Sequence, residues 1–206
     1  MNVNDSWQCI ERWLHENASA SYASLPHPAH ELTVEAAEDS CGLVFPRDLV
    51  ISLRRHDGSG AFVLPGNYVL FTVNEIVTMY AECCAAEPGV PEESRYWRSV
   101  WLPIAGNGAG NYLFLDMTQG LGRGRVGTHW HGDGGELGSE PYFASLSALL
   151  DEAARGLSDG AAEDWITYLP KVDDDNFLVW EDPDAQMDET VVTWNMSDFQ
   201  RRPDGL

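Results

Sequence analysis

Trp101–Asp116, WLPIAGNGAGNYLFLD, is the stretch on which the fold turns. Trp101 to Ala105 is apolar and carries a proline, which suits a short extended piece. Gly106-Asn107-Gly108-Ala109-Gly110 then forces a turn, because glycine adopts the positive φ angles that tight turns need. Asn111 to Met117 follows as a strand. Such a glycine run invites comparison with a phosphate-binding loop, but that chemistry needs a helix straight after the loop, and here a strand comes next with no GKS or GKT. Downstream, Arg125 to His131 forms a second strand. The two strands make a hairpin through the glycine-rich Thr118–Gly124.

Working outward, Tyr68 to Phe71 reads as a buried strand, and Glu75 to Glu87 as a helix capped by Asn74. Residues 58–67 form a glycine- and proline-punctuated loop. Gly132 to Glu140 forms another, flexible and rich in glycine. Ser145 caps a further helix with Leu146, Leu149 and Leu150 turned inward. Near the start, Asp5 or Ser6 caps a helix whose stripe is Trp7, Ile10, Trp13 and Leu14. Asn17 to Pro28 reads as loop. Thr33 caps a short helix over 34–40 that Gly42 ends, and Pro46 opens another containing Leu49, Val50 and Leu53, with His56-Asp57-Gly58 as its exit. These elements mix helices with an antiparallel pair of strands.

The composition is that of a globular protein: 44% hydrophobic, with eight tryptophans in 206 residues. There are 33 acidic and 12 basic residues, a formal charge of −21. A phosphate backbone or an anionic bilayer meets net repulsion over such a surface, which argues against nucleic-acid and membrane binding as the main role; the acidity suits a basic protein partner and equally serves simple solubility. No apolar run approaches the about 20 residues of a membrane span. The N-terminal segment lacks the pattern of a signal peptide, and the four cysteines form no CxxC pair. The expectation is a cytoplasmic protein with free thiols.

Residues 161–206 differ from the rest, with twelve acidic and three basic residues beside six aromatics. We divide the chain into a domain over 1–160 and an acidic, aromatic-containing extension over 161–206, expected to dock on that domain through strands near Phe177–Trp180 and Thr190–Trp194. His129 and His131 sit on one face of a predicted strand, a spacing metals accept, with Asp116 and Asp133 available nearby. A third ligand at fixed spacing is missing, so the expected reading is no metal and no cofactor, with one histidine paired to a carboxylate and Trp130 turned to the core. No GxSxG and no cysteine–histidine arrangement supports catalysis, and an enzyme is not expected.

Seven segments in one order resemble a single family: the opening helix with Trp7, Ile10, Glu11 and Leu14; EAAEDSCGLVFP at 35–46; LVISLRRHDG at 49–58; LFTVNEI at 70–76; WLPIAGNGAGNYLFLD at 101–116; the strand from Gly124 to His131; and the helix over 142–150. This pattern is similar to the SUKH superfamily, the group of the fungal Smi/Knr cell-wall-assembly regulators, over residues 5–157. The resemblance implies an α+β fold, an antiparallel β-sheet flanked by helices, and binding rather than catalysis, with many bacterial members acting as immunity proteins against toxins, often nucleases. The leading expectation is an immunity or antitoxin-like protein that neutralises a partner toxin, a basic nuclease being one such partner. The alternatives are a regulatory scaffold or a metal-dependent enzyme using His129 and His131. The expected partner surface is acidic and centred on the loops around 58–67 and 132–140, with the extension nearby; its residues are Asp57, Asp133, Glu136 and Glu140, with His129 and His131 at a strand end.

Overall fold

The computed structural model describes residues 1–86, 89–91, 95–136, 143–160 and 168–182. The fold is α+β. Helices α1 (Val3–Asn17), α2 (Ser19–Ser24), α3 (Glu31–Cys41) and α4 (Arg47–Leu53) precede strand β1 (Val69–Leu70) and helix α5 (Val73–Ala85). Strands β2 (Trp101–Gly106), β3 (Tyr112–Asp116), β4 (Val126–Trp130) and β5 (Gly134–Glu136) follow. Helix α6 (Leu146–Asp159) and the strands β6 (Leu169–Val172) and β7 (Leu178–Glu181) complete the described chain. Strands β1 to β5 form one antiparallel sheet in chain order, and β6 pairs with β7.

The expected hairpin is present, with Leu113 opposite Thr128 and Phe114 opposite Gly127. The turn at 106–110 carries positive φ at Gly108 and Gly110. Pro103 withholds an N–H from the ladder, and the β2–β3 register shifts between Pro103 and Ala105. Every residue of β2 is buried, because both faces of the sheet are covered. One face presents Leu102, Ile104, Leu113 and Leu115 to a core shared with Trp7, Ile10 and Leu14 of α1 and Leu146, Leu149 and Leu150 of α6. The other face holds Trp97, Trp101 and Phe114, the last two stacked at 4.3 Å. Trp101 reaches as far as β5, where a Cβ on Gly135 would overlap its ring.

The caps correct several expected boundaries. Asn2 caps α1, accepting from Asp5 N, so the helix starts before Asp5. His30 caps α3, three residues before Thr33. Thr72 caps α5 in a capping box with Glu75, displacing Asn74. Ser145 and Gly42 act as read from the sequence. The loop expected at 17–28 contains α2. Gly156 lies inside α6, and Gly160 follows that helix with φ 82°.

The expected exposed loop at 58–67 is a correction of larger consequence. Ala61, Phe62, Val63 and Leu64 are all buried. A Cβ on Gly60 would overlap the Ser24 carbonyl oxygen, so the chain passes against α2 only because that position has no side chain. The buried backbone finds local partners: Ser59 N donates to Leu70 O, and Leu70 N donates to Ser59 Oγ at 2.9 Å. Phe177 and Val179 of the β6–β7 hairpin cover Ala61 and Phe62. Leu178 and Trp180 join the main core. The expected strand at 190–194 lies outside the described residues.

Candidate functional site

Strand β4 ends at Trp130, and its ring is 38% exposed rather than turned to the core. The chain then turns through 131–133 into β5, which replaces part of the flexible loop expected at 132–140. Asp133 N donates to Trp130 O at 3.2 Å, which closes the turn and leaves the Asp133 side chain exposed. His131 N donates to Asn111 Oδ1 at 2.8 Å. Its ring lies against Gly110, where a Cβ would come within 2.9 Å of Nδ1. The glycine turn between β2 and β3 and the turn between β4 and β5 therefore form one end of the sheet. Tyr96, 59% exposed, lies against Gly134. Gly135 N donates to Tyr96 O at 3.3 Å, so this segment also covers part of the β5 edge.

The expected partner-facing residues separate. Asp133 and His131 are exposed at this end. Glu136 belongs to β5, opposite Thr128. Glu140 lies outside the described residues. His129 is half-buried, its ring 5.3 Å from Trp97 and 6.0 Å from Tyr112, so it belongs to the aromatic layer on the sheet. Asp57 leaves the expected surface: its Oδ1 accepts from Val73 N at 2.7 Å, anchoring the first turn of α5. That places it beside β1, at the opposite edge of the sheet from β5. Four strand spacings of about 4.8 Å separate those edges. Loop 58–67, expected to join Asp133 in one surface, is largely buried, with Gly60, Gly66 and Asn67 half-buried.

The sequence reading turns Trp130 to the core because an aromatic at the end of an apolar strand reads as core, and Tyr96, outside any periodic segment, carries no signal. Their exposure follows from where the strand ends, which the spacing does not show.

The chemistry available elsewhere is structural. Asp116 accepts from Arg125 Nη2 at 3.1 Å and from Thr118 N at 3.0 Å, so it is engaged within the hairpin. Among the described residues no group of three His, Cys, Asp or Glu is placed to hold a metal ion. Burial, aided by the neighbouring Cys84, pushes the Cys41 thiol up to about 11. Burial, with Cys84 and Glu82, pushes Cys83 up to about 12. Both remain protonated near neutral pH, where the thiol is a weak nucleophile. No helix among the described residues is long and apolar enough to cross a membrane.

Comparison with known proteins places this arrangement. The chain is similar to a "Cell wall biosynthesis/cell cycle regulator smi1" of Schizosaccharomyces pombe, at 26% identity over 146 residues, which cover 57% of this chain and 29% of that protein. The chain therefore spans less than a third of that relative's length. The SMI1 / KNR4 family (SUKH-1) matches residues 28–152. That match runs from the start of α3 through the five-stranded sheet and into α6, over more than half of the chain, and the chain belongs to the SMI1 / KNR4 (SUKH-1) family.

Proposed function

We propose that this chain is a protein-binding domain of the immunity type, whose acidic surface covers a basic partner toxin, a nuclease being the partner that its charge suits best. The observation that carries this reading is the formal charge of −21 on 206 residues. A nuclease needs a cationic groove to hold phosphate. A protein of opposite sign reaches that groove by steered association and blocks it without chemistry. Trp130 and Tyr96, with Asp133 between β4 and β5, supply exposed aromatic anchors beside an acidic group, the kind of residue that carries binding energy at interface centres.

The similarity to the Schizosaccharomyces pombe regulator favours a second reading, a regulatory scaffold that binds a cellular protein. A toxin domain encoded by a neighbouring gene, and co-expression of this chain with that domain, separate the two. Under the immunity reading the chain restores growth. Its association with the purified toxin slows strongly between 50 and 200 mM salt, as the screening length falls from about 14 to about 7 Å, while dissociation changes little. Asp133→Lys slows association in the same way, whereas Glu16→Lys on α1 does not. Growth that is not restored, or an association rate indifferent to both salt and Asp133→Lys, defeats the reading.

A further inference from the structure

A groove runs between the start of α1 and the outer face of α4, far in sequence from the β4–β5 turn. Asn4, Arg47, Val50, Ile51, Arg54 and Arg55 line about 570 Å³ of it. An adjoining pocket of about 380 Å³, sharing Asn4, Arg47 and Ile51, reaches past Asn2 and Asp48 to Ser147 at the start of α6. Volumes of this order accommodate a few side chains of a ligand. Three of the twelve basic residues of a strongly acidic chain meet here, around a floor supplied by Val50 and Ile51.

The three guanidinium groups are not equivalent. Arg55 is committed to the fold: Nε and Nη2 donate to the two Glu11 oxygens at 2.5 and 2.7 Å. Arg54 is 52% exposed, and its contact with the exposed Glu31 is 3.6 Å long, a pair that solvent screens and a ligand carboxylate can replace. Arg47 is exposed, with no ion pair among the described residues.

The geometry points to this groove as a docking site for an acidic peptide segment of a second protein partner, one carrying a large aliphatic side chain between its carboxylates. The aliphatic group covers Val50 and Ile51, and the carboxylates take the forks of Arg47 and Arg54. This partner is the opposite of the basic one proposed for the β4–β5 end, and the site does not depend on that reading. The field of the whole chain repels an acidic ligand at long range, so recognition here resides in close contacts and in the dissociation rate.

The test is fluorescence anisotropy on the full chain with a labelled 14-residue peptide of Glu and Leu, leucines at helical spacing, beside a Gln/Leu counterpart. The Glu/Leu peptide binds the wild type. Arg47→Glu weakens it about tenfold, as a like charge now faces the ligand. Arg12→Glu, which changes the net charge equally but lies outside the groove, leaves it within about twofold. Arg54→Glu repeats the effect of Arg47→Glu and serves should that variant melt below the wild type. The Gln/Leu peptide binds more weakly and ignores Arg47→Glu. Absence of Glu/Leu binding, equal effects of Arg47→Glu and Arg12→Glu, or tighter binding of the Gln/Leu peptide overturns the proposal. Sedimentation showing that the wild type dimerises and Arg47→Glu is monomeric also overturns it, by making the occupant a second copy.

Discussion

Glu11 projects from α1 onto Arg55 and His56, the two residues that leave α4. Arg55 donates to both of its oxygens, and His56 Nε2 lies 2.8 Å from Oε1. The other ring nitrogen of His56 lies 2.9 Å from the Pro26 carbonyl oxygen, so this cluster ties α1, the end of α4 and the segment before α3 together. Burial alone pushes the Glu11 carboxyl up, but the hydrogen bonds and charges of Arg55 and His56 outweigh it and hold the group below its ordinary 4.5. The stabilisation is therefore complete above the unfolded value and is lost as pH falls through the folded one. Glu11→Gln should destabilise the protein by about 1 kcal/mol near neutral pH, a modest figure because the pair is partly solvated. The gap in urea midpoint between the variant and the wild type should narrow steadily below pH 4.5. A gap that stays constant down to pH 3 contradicts this account. In sequence, His56-Asp57-Gly58 was legible as a helix exit. That Asp57 caps the next helix was not, because its partner Val73 lies sixteen residues away.

Elements were legible where a residue type left few choices. Gly42, with φ 65°, ends α3, and Ser145 starts α6. The starts of α1, α3 and α5 slipped by a few residues because several cap-capable side chains lie together, as at Asn2, Asp5 and Ser6. The competition is settled by which start turns Val3, Trp7, Ile10 and Leu14 inward. The β6–β7 hairpin shows the same dependence on partners. Asn67, with φ 57°, donates from Nδ2 to Trp180 O at 3.0 Å and accepts from Trp180 N at 2.8 Å, standing in for a neighbouring strand. Ser21 Oγ accepts from Leu178 N at 2.8 Å. Asn67→Ala strands both backbone groups of Trp180 and places a β-carbon residue without amide support in a left-handed conformation, and should cost about 2–3 kcal/mol. Limited proteolysis should then cut within 168–182 before the rest of the domain. Cleavage kinetics equal to those of the wild type would show that apolar burial alone holds the hairpin.

At the scale of the molecule, the charge of −21 acts on stability as well as on partners. Self-repulsion in the compact state is relieved as salt shortens the screening length. Raising salt from 20 to 300 mM should lift Tm by about 2–4 °C, the equivalent of about 1 kcal/mol at this size. A Tm that falls would show that the ion pairs, such as that of Arg55 with Glu11, outweigh the repulsion. Local information in the chain was enough for the central hairpin, the inward stripes of α1 and α6, the family pattern and the acidic character. The stripes, the hairpin strands and the charge rest on short spacings or on simple composition, and the family pattern on short motifs kept in one order along the chain. Tertiary structure alone decided that the segment 58–65 is buried, that Trp130 is exposed, that Asp57 and Asp133 stand at opposite edges of the sheet, and that arginines 47, 54 and 55 share a groove with Asn4. Burial is a property of what arrives from elsewhere. α2 and the β6–β7 hairpin cover the glycine-punctuated segment, the helices and the Trp97 layer cover both faces of the sheet, and no periodicity within a segment records which distant element will come to lie on it.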